Sequence, residues 1–227
     1  MTASNLKSLQ KLLDYTFKDE GLLNIALTHR SCLNEPKVTE SYERLEFLGD
    51  AVLEMIISIY LFNKYPEKME GYLTAARSAT VRTESLSKIS KDHGIDIYIN
   101  MSKGEESTGG RNNPSILEDV IESLIGALYC DGGLDAVNHF FIKFILPNAE
   151  NIINEDKLKD AKSILQERVQ SKGFTSPQYQ TIKEFGPDHN KTFEVAVVVN
   201  DKKITTGTGK SKQEAEQNAA KSANELI

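Results

Sequence analysis

The clearest hydrophobic pattern in the chain lies at residues 42–65, where apolar side chains recur at helical spacing. At about 100° per residue, one face collects six apolar positions: Leu45, Leu48, Val52, Met55, Ile56 and Ile59. The opposite side carries three carboxylates, Glu43, Glu46 and Asp50. The pattern therefore predicts a helix with one core face and one acidic face, which Pro66 ends.

The acidic face of this helix has two interpretations. Like charges four residues apart disfavour a helix by a few tenths of a kcal/mol, so gathered carboxylates need open solvent or a cation. Phe47 lies near the carboxylates, and Gly49 costs roughly 1 kcal/mol relative to Ala inside a helix. Both residues indicate that another element approaches this side closely.

A second acidic helix is predicted from residue 115. Ser115 and Glu118 have the spacing of a capping box, in which Glu118 bonds back to the start of the helix. Asp119 and Glu122 have no such local partner and project together from one side, and Gly126 again permits close approach. Carboxylates from two helices form an all-oxygen ligand set, which suits Mg²⁺ or Mn²⁺ better than Zn²⁺.

The rest of the N-terminal part is also predicted to be helical. Shorter apolar patterns indicate helices at residues 6–13, 22–27, 73–81, 84–93 and 134–153. His29 is interpreted as a structural residue near a helix end, and Ser41 as an N-cap of the acidic helix. The Gly/Ser/Asn-rich stretch 102–114 predicts either a flexible surface loop or one that brings Lys103 and Arg111 towards a phosphate.

The C-terminal part changes character. Its clearest strand is residues 193–200, rich in β-branched side chains; residues 179–184 are strand-like, and residues 203–208 complete a hairpin. Helices are predicted at residues 161–172 and after a capping box at Ser211 and Glu214. We therefore expect three segments: a helical domain at 1–153, a linker at 154–159 and an α-β-β-β-α domain at 160–227.

Composition and charge narrow the class of protein. With 39% hydrophobic and 26% charged residues, the 227-residue chain is typical of soluble globular proteins. Two cysteines imply no disulfide framework, the N-terminus has no apolar signal core, and the most apolar run is too short to span a bilayer. These features predict a cytoplasmic protein without membrane contact, and the lack of a P-loop predicts no nucleotide cofactor.

The net charge of −6 is unevenly distributed. Residues 160–227 contain 10 Lys and Arg against 9 Asp and Glu, whereas residues 1–159 contain 17 against 24. A polyanion must therefore be bound through local basic groups and bound cations.

Eight consecutive residues, Glu43-Arg-Leu-Glu-Phe-Leu-Gly-Asp50, resemble the signature of the ribonuclease III family. Tyr42 stands before it, where the family often has Asn. The C-terminal order of elements resembles a double-stranded RNA-binding domain. The resemblance implies an all-α N-terminal endonuclease domain with the ribonuclease III fold and an α+β C-terminal domain.

This resemblance also implies an activity. Members of the family hydrolyse phosphodiesters in double-stranded RNA with a divalent-metal-activated water, leaving 5′-phosphate and 3′-hydroxyl ends with short 3′ overhangs. We expect Mg²⁺ as the cofactor, with Mn²⁺ able to substitute, and a role in ribosomal RNA and other RNA processing. The residues that match the family's inner metal ligands are Glu46, Asp50, Asp119 and Glu122. Glu43 and Glu70 are expected to join Asp50 and Glu122 in catalysis from further out, Glu70 only from its context beside Gly71.

The resemblance assigns partners to the remaining residues. Duplex RNA is recognised by shape, through contacts to phosphates and 2′-hydroxyls. The expected RNA-binding residues are Gln166, Gln170, His189, Lys210, Ser211 and Lys212. Gln213 replaces a Lys that is frequent in the family, which removes one phosphate contact. Phe47 is expected at a homodimer interface, the alternative being burial within one chain.

Two other functions are compatible with the same fold. A non-catalytic double-stranded-RNA-binding regulator would be favoured by loss of a metal carboxylate, and none of the six is lost. A structural protein of a ribonucleoprotein particle would be favoured by an incomplete acidic cluster or a strongly basic surface, and the sequence has neither.

Overall fold

A computed structural model describes residues 3–36, 38–154, 161–187 and 191–227. The chain separates into two compact units, Met1–Leu158 and Lys159–Ile227. Most of the expected linker and His189 lie outside the described residues. Over the described ranges, no helix combines the length and apolar character needed to cross a membrane.

The first unit is built from helices, as predicted. The α-helices are α1 Ala3–Leu13, α2 Glu20–Ala26, α3 Glu43–Lys64, α4 Glu70–Val81, α5 Thr83–Asp92, α6 Lys103–Ser107, α7 Pro114–Phe140 and α8 Leu146–Asn154. Short 3₁₀ turns lie at Arg30–Asn34, Asp96–Tyr98 and Gly110–Asn112, and one π-helical segment at Phe141–Ile145. One hydrophobic core connects these elements.

Helices α3 and α7 cross in direct backbone contact at two glycines. A Cβ added to Gly49 would overlap the carbonyl oxygen of Glu122, and one added to Gly126 would overlap the carbonyl oxygen of Leu45. No larger residue fits either position without moving a helix. The close approach predicted at Gly49 and Gly126 is confirmed, and it places the two acidic helices side by side.

The buried face of α3 is rotated relative to the prediction. Leu45, Val52 and Ile56 are buried as expected, but Met55 and Ile59 are 40% and 53% exposed. Their places in the core are taken by residues on the neighbouring face, Leu53, Ile57 and Leu61. The assignment of Met55 and Ile59 to the core is wrong, because helical spacing groups apolar residues without showing which ones another helix covers.

Both acidic helices begin differently from the prediction. Helix α3 starts at Glu43 after Tyr42, and the Ser41 hydroxyl donates to the Glu43 carboxylate instead of capping the backbone. Helix α7 starts at Pro114, and the side chain of Asn113 accepts the backbone N–H of Ser115. The predicted capping box at residues 115–118 is therefore wrong. Proline at the first helical position and Asn before it already satisfy this helix end.

The predicted loop at 102–114 is an ordered connection in the structure. Ser102 caps α6 by accepting the N–H of Glu105. Arg111 forms two 2.6 Å hydrogen bonds with the Glu106 carboxylate and donates to the Ile99 carbonyl oxygen at 3.2 Å. Arg111 is thus held by its own domain instead of being presented to a phosphate.

Helix α7 is interrupted at Gly133, directly before residue 134, where the sequence predicts a new helix to begin. Gly133 has φ +66°, and the chain resumes helical geometry beyond it to Phe140. The π-helical segment then leads into α8 through Pro147. A glycine at this φ costs no side-chain clash, so the kink changes direction without a loop.

The second unit is an antiparallel sheet with two helices. Its elements are α9 Ala161–Ser171, β1 Gln178–Phe185, β2 Thr192–Val199, β3 Lys202–Gly209 and α10 Lys212–Leu226, and the strands lie in the order β1-β2-β3. Asn200 and Asp201 both have positive φ in the turn between β2 and β3, as in two-residue hairpins. The predicted N-cap is confirmed, since the Ser211 hydroxyl accepts the N–H of Glu214 at 3.1 Å. Both parts of the predicted fold class are confirmed.

Candidate metal centre and RNA-binding surface

The crossing of α3 and α7 gathers acidic residues from both helices. We call this group the acidic centre; it consists of Glu46 and Asp50 from α3 and Glu118, Asp119 and Glu122 from α7. Glu122 is only 9% exposed, and burial together with the charges of Asp50, Glu118, Glu46 and Asp119 raises its pKa from 4.5 to about 8. The pKa of Glu46 rises to about 7, through burial first and then the charges of neighbours that include Asp119 and Glu43. These shifts mean that carboxylates from the two helices repel one another in a partly desolvated setting.

Asp119 has the most specific contact in this group. The Tyr42 hydroxyl donates to its Oδ2 atom at 2.9 Å. Burial raises the pKa of Asp119, whereas this hydrogen bond lowers it. Tyr42 itself is buried, and desolvation and the nearby carboxylates raise its pKa, so the hydroxyl stays protonated and donates.

Basic side chains do not neutralise the centre. Over the described ranges, no Lys or Arg forms an ion pair with Glu46, Asp50, Asp119 or Glu122; Arg30 reaches only the exposed Glu43, at 3.8 Å. An exposed pair of that length contributes little to stability. Among the described residues, no basic side chain therefore offsets the repulsion between these carboxylates.

The donor chemistry of this centre fits a hard divalent cation. All the converging groups are carboxylates, the ligands that Mg²⁺ and Mn²⁺ prefer. Among the described residues, no three acidic, His or Cys side chains are already arranged as a complete metal site. Binding of one cation by three or more of these carboxylates would therefore require their side chains to move.

Glu43 and Glu70 occupy different surroundings. Glu43 is exposed at the start of α3, beside the acidic group. Glu70 starts α4, where it accepts a hydrogen bond from the Thr74 hydroxyl at 3.0 Å and lines a groove with Phe62 and Arg77. The structure does not bring Glu70 together with the five other predicted carboxylates.

Phe47 is exposed to solvent within the single chain. Its exposed fraction is 82%, so it is not buried within the monomer, which was the alternative interpretation. Three further apolar side chains of α3 are exposed, Met55, Ile59 and Phe62, and so is Met69 directly before α4. Between these two helices lies a mainly apolar groove of about 670 Å³.

The second unit brings basic and polar residues to the start of α10 and to the surface of α9. Gln166 and Gln170 are exposed on α9, and Gln170 donates to the Ser176 hydroxyl at 3.1 Å. Lys212 is exposed and pairs with Glu184 at 3.1 Å.

The other predicted RNA-binding residues are Lys210, Ser211 and His189. Lys210 and Ser211 precede the first residue of α10, and the Ser211 hydroxyl is used as the cap. Gln213 is exposed in the first turn. His189 lies outside the described residues.

Two residues beside these carboxylates could not be placed there from the sequence. The sequence pattern assigns Glu118 to a capping box, but burial raises its pKa and it lies near Asp119 and Asp50. The signal that could have placed it was Asn113-Pro114, a stronger helix start two residues upstream. In the sequence, Tyr42 stands out only as a departure from the family pattern, because no local pattern links it to a residue 77 positions away.

Comparison with known proteins decides the family. A family model described as Ribonuclease-III-like matches residues 19–149, and one described as Double-stranded RNA binding motif matches residues 161–226. The chain belongs to the ribonuclease III family. It is 48% identical to Ribonuclease 3 of Streptococcus mutans over 98% of both chains, and 48% identical to Ribonuclease 3 of Streptococcus pyogenes over 96% of this chain and 97% of that one.

A solved structure shows the same fold for the first unit. The nuclease domain of ribonuclease III from Campylobacter jejuni aligns with a TM-score of 0.59 and 40% identity, covering 63% of this chain and 97% of that chain. Its published description concerns flexibility in a region involved in dimer formation. The chain is accordingly a metal-dependent endoribonuclease that acts on double-stranded RNA, and the predicted family and enzyme class are confirmed.

Proposed function

We propose that the acidic centre binds Mg²⁺, with Mn²⁺ able to substitute, and that the ligands are Glu46, Asp50, Asp119 and Glu122. The observation that carries this proposal is the buried carboxylate of Glu122, whose pKa rises to about 8 among like charges with no basic partner in the described residues. Such a group is costly to keep ionised unless a cation joins it. All-oxygen ligation favours Mg²⁺ over Zn²⁺.

The proposed chemistry is hydrolysis of a phosphodiester bond. When bound, Mg²⁺ supplies an activated water nucleophile and stabilises the oxygen that leaves. Asp50 and Glu122 are proposed to orient the reacting groups from opposite helices, and the bound cation would keep both carboxylates ionised. The expected products are duplexes with 5′-phosphate and 3′-hydroxyl ends and short 3′ overhangs. Glu43 is proposed to act from the edge of the centre, and the catalytic role of Glu70 stays a prediction.

The second unit is proposed to hold the duplex through the surface formed by α9 and the start of α10. Gln166 and Gln170 offer neutral hydrogen-bonding groups for 2′-hydroxyls, while Lys210 and Lys212 sit where the N-terminus of α10 favours phosphate. Ser211 and His189 complete the proposed set. We further propose ribosomal RNA and other transcripts as substrates, processed in the cytoplasm.

A homodimer is proposed through the apolar surface of α3 and α4. Phe47 and the other exposed apolar residues of this surface would be costly to leave in water. The groove between the two helices offers a seat for an aromatic side chain of a second copy. A two-fold arrangement would present two acidic centres to one duplex.

The test of the metal centre compares Glu122→Gln with Glu54→Gln. Glu54 is an exposed residue of α3 outside the acidic group, so its change removes the same charge without touching the centre. With Mg²⁺ and long double-stranded RNA, we expect the native chain and Glu54→Gln to cut, and Glu122→Gln to bind RNA without cutting. A gel assay for products and a filter-binding assay measure both properties.

Two outcomes would reject the proposal. If the native chain binds duplex RNA and never cuts it with any divalent metal, the chain is a regulator on the same fold. If Glu122→Gln cuts as fast as Glu54→Gln, the activity lies outside the acidic centre.

A further inference from the structure

Tyr42 is anchored from three sides. Its backbone N–H donates to the Thr28 carbonyl oxygen at 2.9 Å, and its hydroxyl donates to Asp119 Oδ2 at 2.9 Å. Its ring lies 5.8 Å from the ring of His29, centroid to centroid. The ring therefore has little freedom, and the hydroxyl reaches the carboxylate from a fixed position.

The support behind Tyr42 comes from elements other than the two acidic helices. His29 is 5% exposed, shares a 2.9 Å hydrogen bond between its Nδ1 and the Ser31 hydroxyl, and donates its backbone N–H to Asn100. The Ser31 hydroxyl in turn accepts the N–H of Ser102. A continuous set of contacts therefore runs from the start of α6 to the carboxylate of Asp119.

We propose that Tyr42 is a positioning residue for the metal centre: it holds one oxygen of Asp119 so that the other oxygen faces the cation. This inference rests on the proposed function, because it takes Asp119 as a metal ligand. Hydrogen bonds to ligating carboxylates fix their orientation, and losing one typically lowers metal affinity 10–100-fold.

A tyrosine hydroxyl suits this task better than a basic side chain would. An Arg or Lys at the same distance would orient Asp119 but would also cancel the negative charge that attracts the cation. The neutral hydroxyl orients the carboxylate and leaves its charge in place. It also satisfies one oxygen of a half-buried group that would otherwise lose a partner.

The chain contains a matched control for removal of this hydroxyl. Tyr60 donates to Glu150 Oε1 at the same 2.9 Å, and its ring packs against Phe141 at 5.7 Å. Both tyrosines therefore bind a carboxylate in the first unit, but Glu150 lies on α8, outside the acidic centre. Tyr42→Phe and Tyr60→Phe each remove one oxygen atom and keep the ring.

The experiment measures metal binding without RNA. Full-length native protein and both variants are melted in EDTA and then in a series of Mn²⁺ and Mg²⁺ concentrations, and the midpoint of the metal-induced rise in Tm is recorded. We expect both variants to remain folded in EDTA. Tyr42→Phe is expected to raise the midpoint about 10-fold, whereas Tyr60→Phe leaves it unchanged. Cleavage by Tyr42→Phe should recover at high metal concentration.

A double variant separates positioning from a general loss of stability. If Tyr42 acts through Asp119, Tyr42→Phe has no further effect on the midpoint in an Asp119→Asn background. The inference is overturned if Tyr42→Phe moves the midpoint no more than Tyr60→Phe, or if it moves it equally with and without Asp119. A native chain with no metal-induced rise in Tm and no cleavage would instead overturn the proposed metal centre, and this inference with it.

Discussion

At the scale of single residues, Glu46 and Glu122 show how burial and like charge combine. Neither effect is visible from one residue alone, since each carboxylate is an ordinary helix residue by its local sequence. Desolvation is the largest cause of both raised pKa values, and carboxylates from both helices add to it. Ionisation of these two carboxyl groups lowers the free energy of unfolding, and a bound cation would remove that penalty. Stability, pH and metal binding are therefore linked at this site.

The metal-free protein should become less stable as pH rises from about 5 to about 8. Glu46 and Glu122 have pKa values of about 7 and about 8 when folded, against 4.5 ordinarily. In that window the folded state holds protons that the unfolded state has released, so the free energy of unfolding falls with rising pH. The stabilisation that these protons provide is complete below the ordinary pKa of 4.5. It is lost as the pH rises through the pKa values of the folded protein, about 7 for Glu46 and about 8 for Glu122. Thermal melting in EDTA across this range measures the effect.

Added Mg²⁺ should reverse this trend. Because the cation displaces the same protons, the metal-induced rise in Tm should grow with pH between about 5 and 8. Glu122→Gln should flatten the pH dependence in EDTA, since it removes the group with the larger shift. A native Tm in EDTA that increases steadily over this window would contradict the assignment.

At the scale of elements, the site depends on how closely α3 and α7 approach. Gly49 and Gly126 let the two backbones touch, and this contact sets Glu46 and Asp50 opposite Glu122. The remaining apolar contacts of the two helices are ordinary core packing. Gly49 and Gly126 therefore affect the acidic centre by setting the distance between the two helices.

Gly49→Ala should destabilise the protein even though alanine favours helices. The added Cβ would overlap the backbone of α7, which cannot rotate away as a side chain could. Overpacking of this kind costs about 1–3 kcal/mol, and the gain in helix propensity offsets about 1 kcal/mol. Urea denaturation measures the net loss, and cleavage activity should fall with it.

Gly71→Ala provides the control for this change. Gly71 lies in the first turn of α4, and a Cβ there would meet nothing within 4 Å. The same substitution should stabilise this helix by up to about 1 kcal/mol. Equal effects at Gly49 and Gly71 would show that the helix crossing tolerates a side chain.

At the scale of the whole molecule, the chain consists of two units, and each has its own hydrophobic core. The first carries the carboxylates of the acidic centre, and the second carries exposed Gln and Lys residues on α9 and at the start of α10. Carboxylates repel RNA phosphates until cations bind them, so we expect the basic and polar surface of the second unit to hold most of the duplex. Within the first unit, the exposed apolar surface of α3 and α4 is the feature that a single chain leaves unsatisfied.

Phe47→Ala should weaken self-association. Phe47 is 82% exposed in one chain and would become buried in the proposed dimer, so its truncation removes contacts that form only on assembly. Light scattering coupled to size exclusion, over a series of protein concentrations, should show a shift towards monomer. Phe174→Ala, which truncates a 42% exposed Phe of the second unit, should leave the mass unchanged. A native chain that is monomeric at all concentrations would reject the dimer.

Local sequence patterns are enough to predict the fold class and most of the candidate site. Helical spacing at residues 42–65 separates an acidic face from an apolar face, and β-branched residues at 193–200 indicate the central strand. The motif from Glu43 to Asp50 identifies the family, and with it the residues expected at the metal. These signals are local. Each depends on residues within one or two turns of one another, so their spacing can be read directly from the sequence.

Tertiary structure alone decided which faces are covered and which residues meet across the fold. Met55 and Ile59 match the core spacing but lie on the surface, because none of the helices described in the unit covers them fully. Glu118 does not form the predicted capping box, because α7 already begins upstream, at Asn113 and Pro114. Tyr42 reaches Asp119 because the glycine crossing brings α7 to the start of α3. Contacts of this kind join residues far apart in the chain, and only the packing of helices sets their distance.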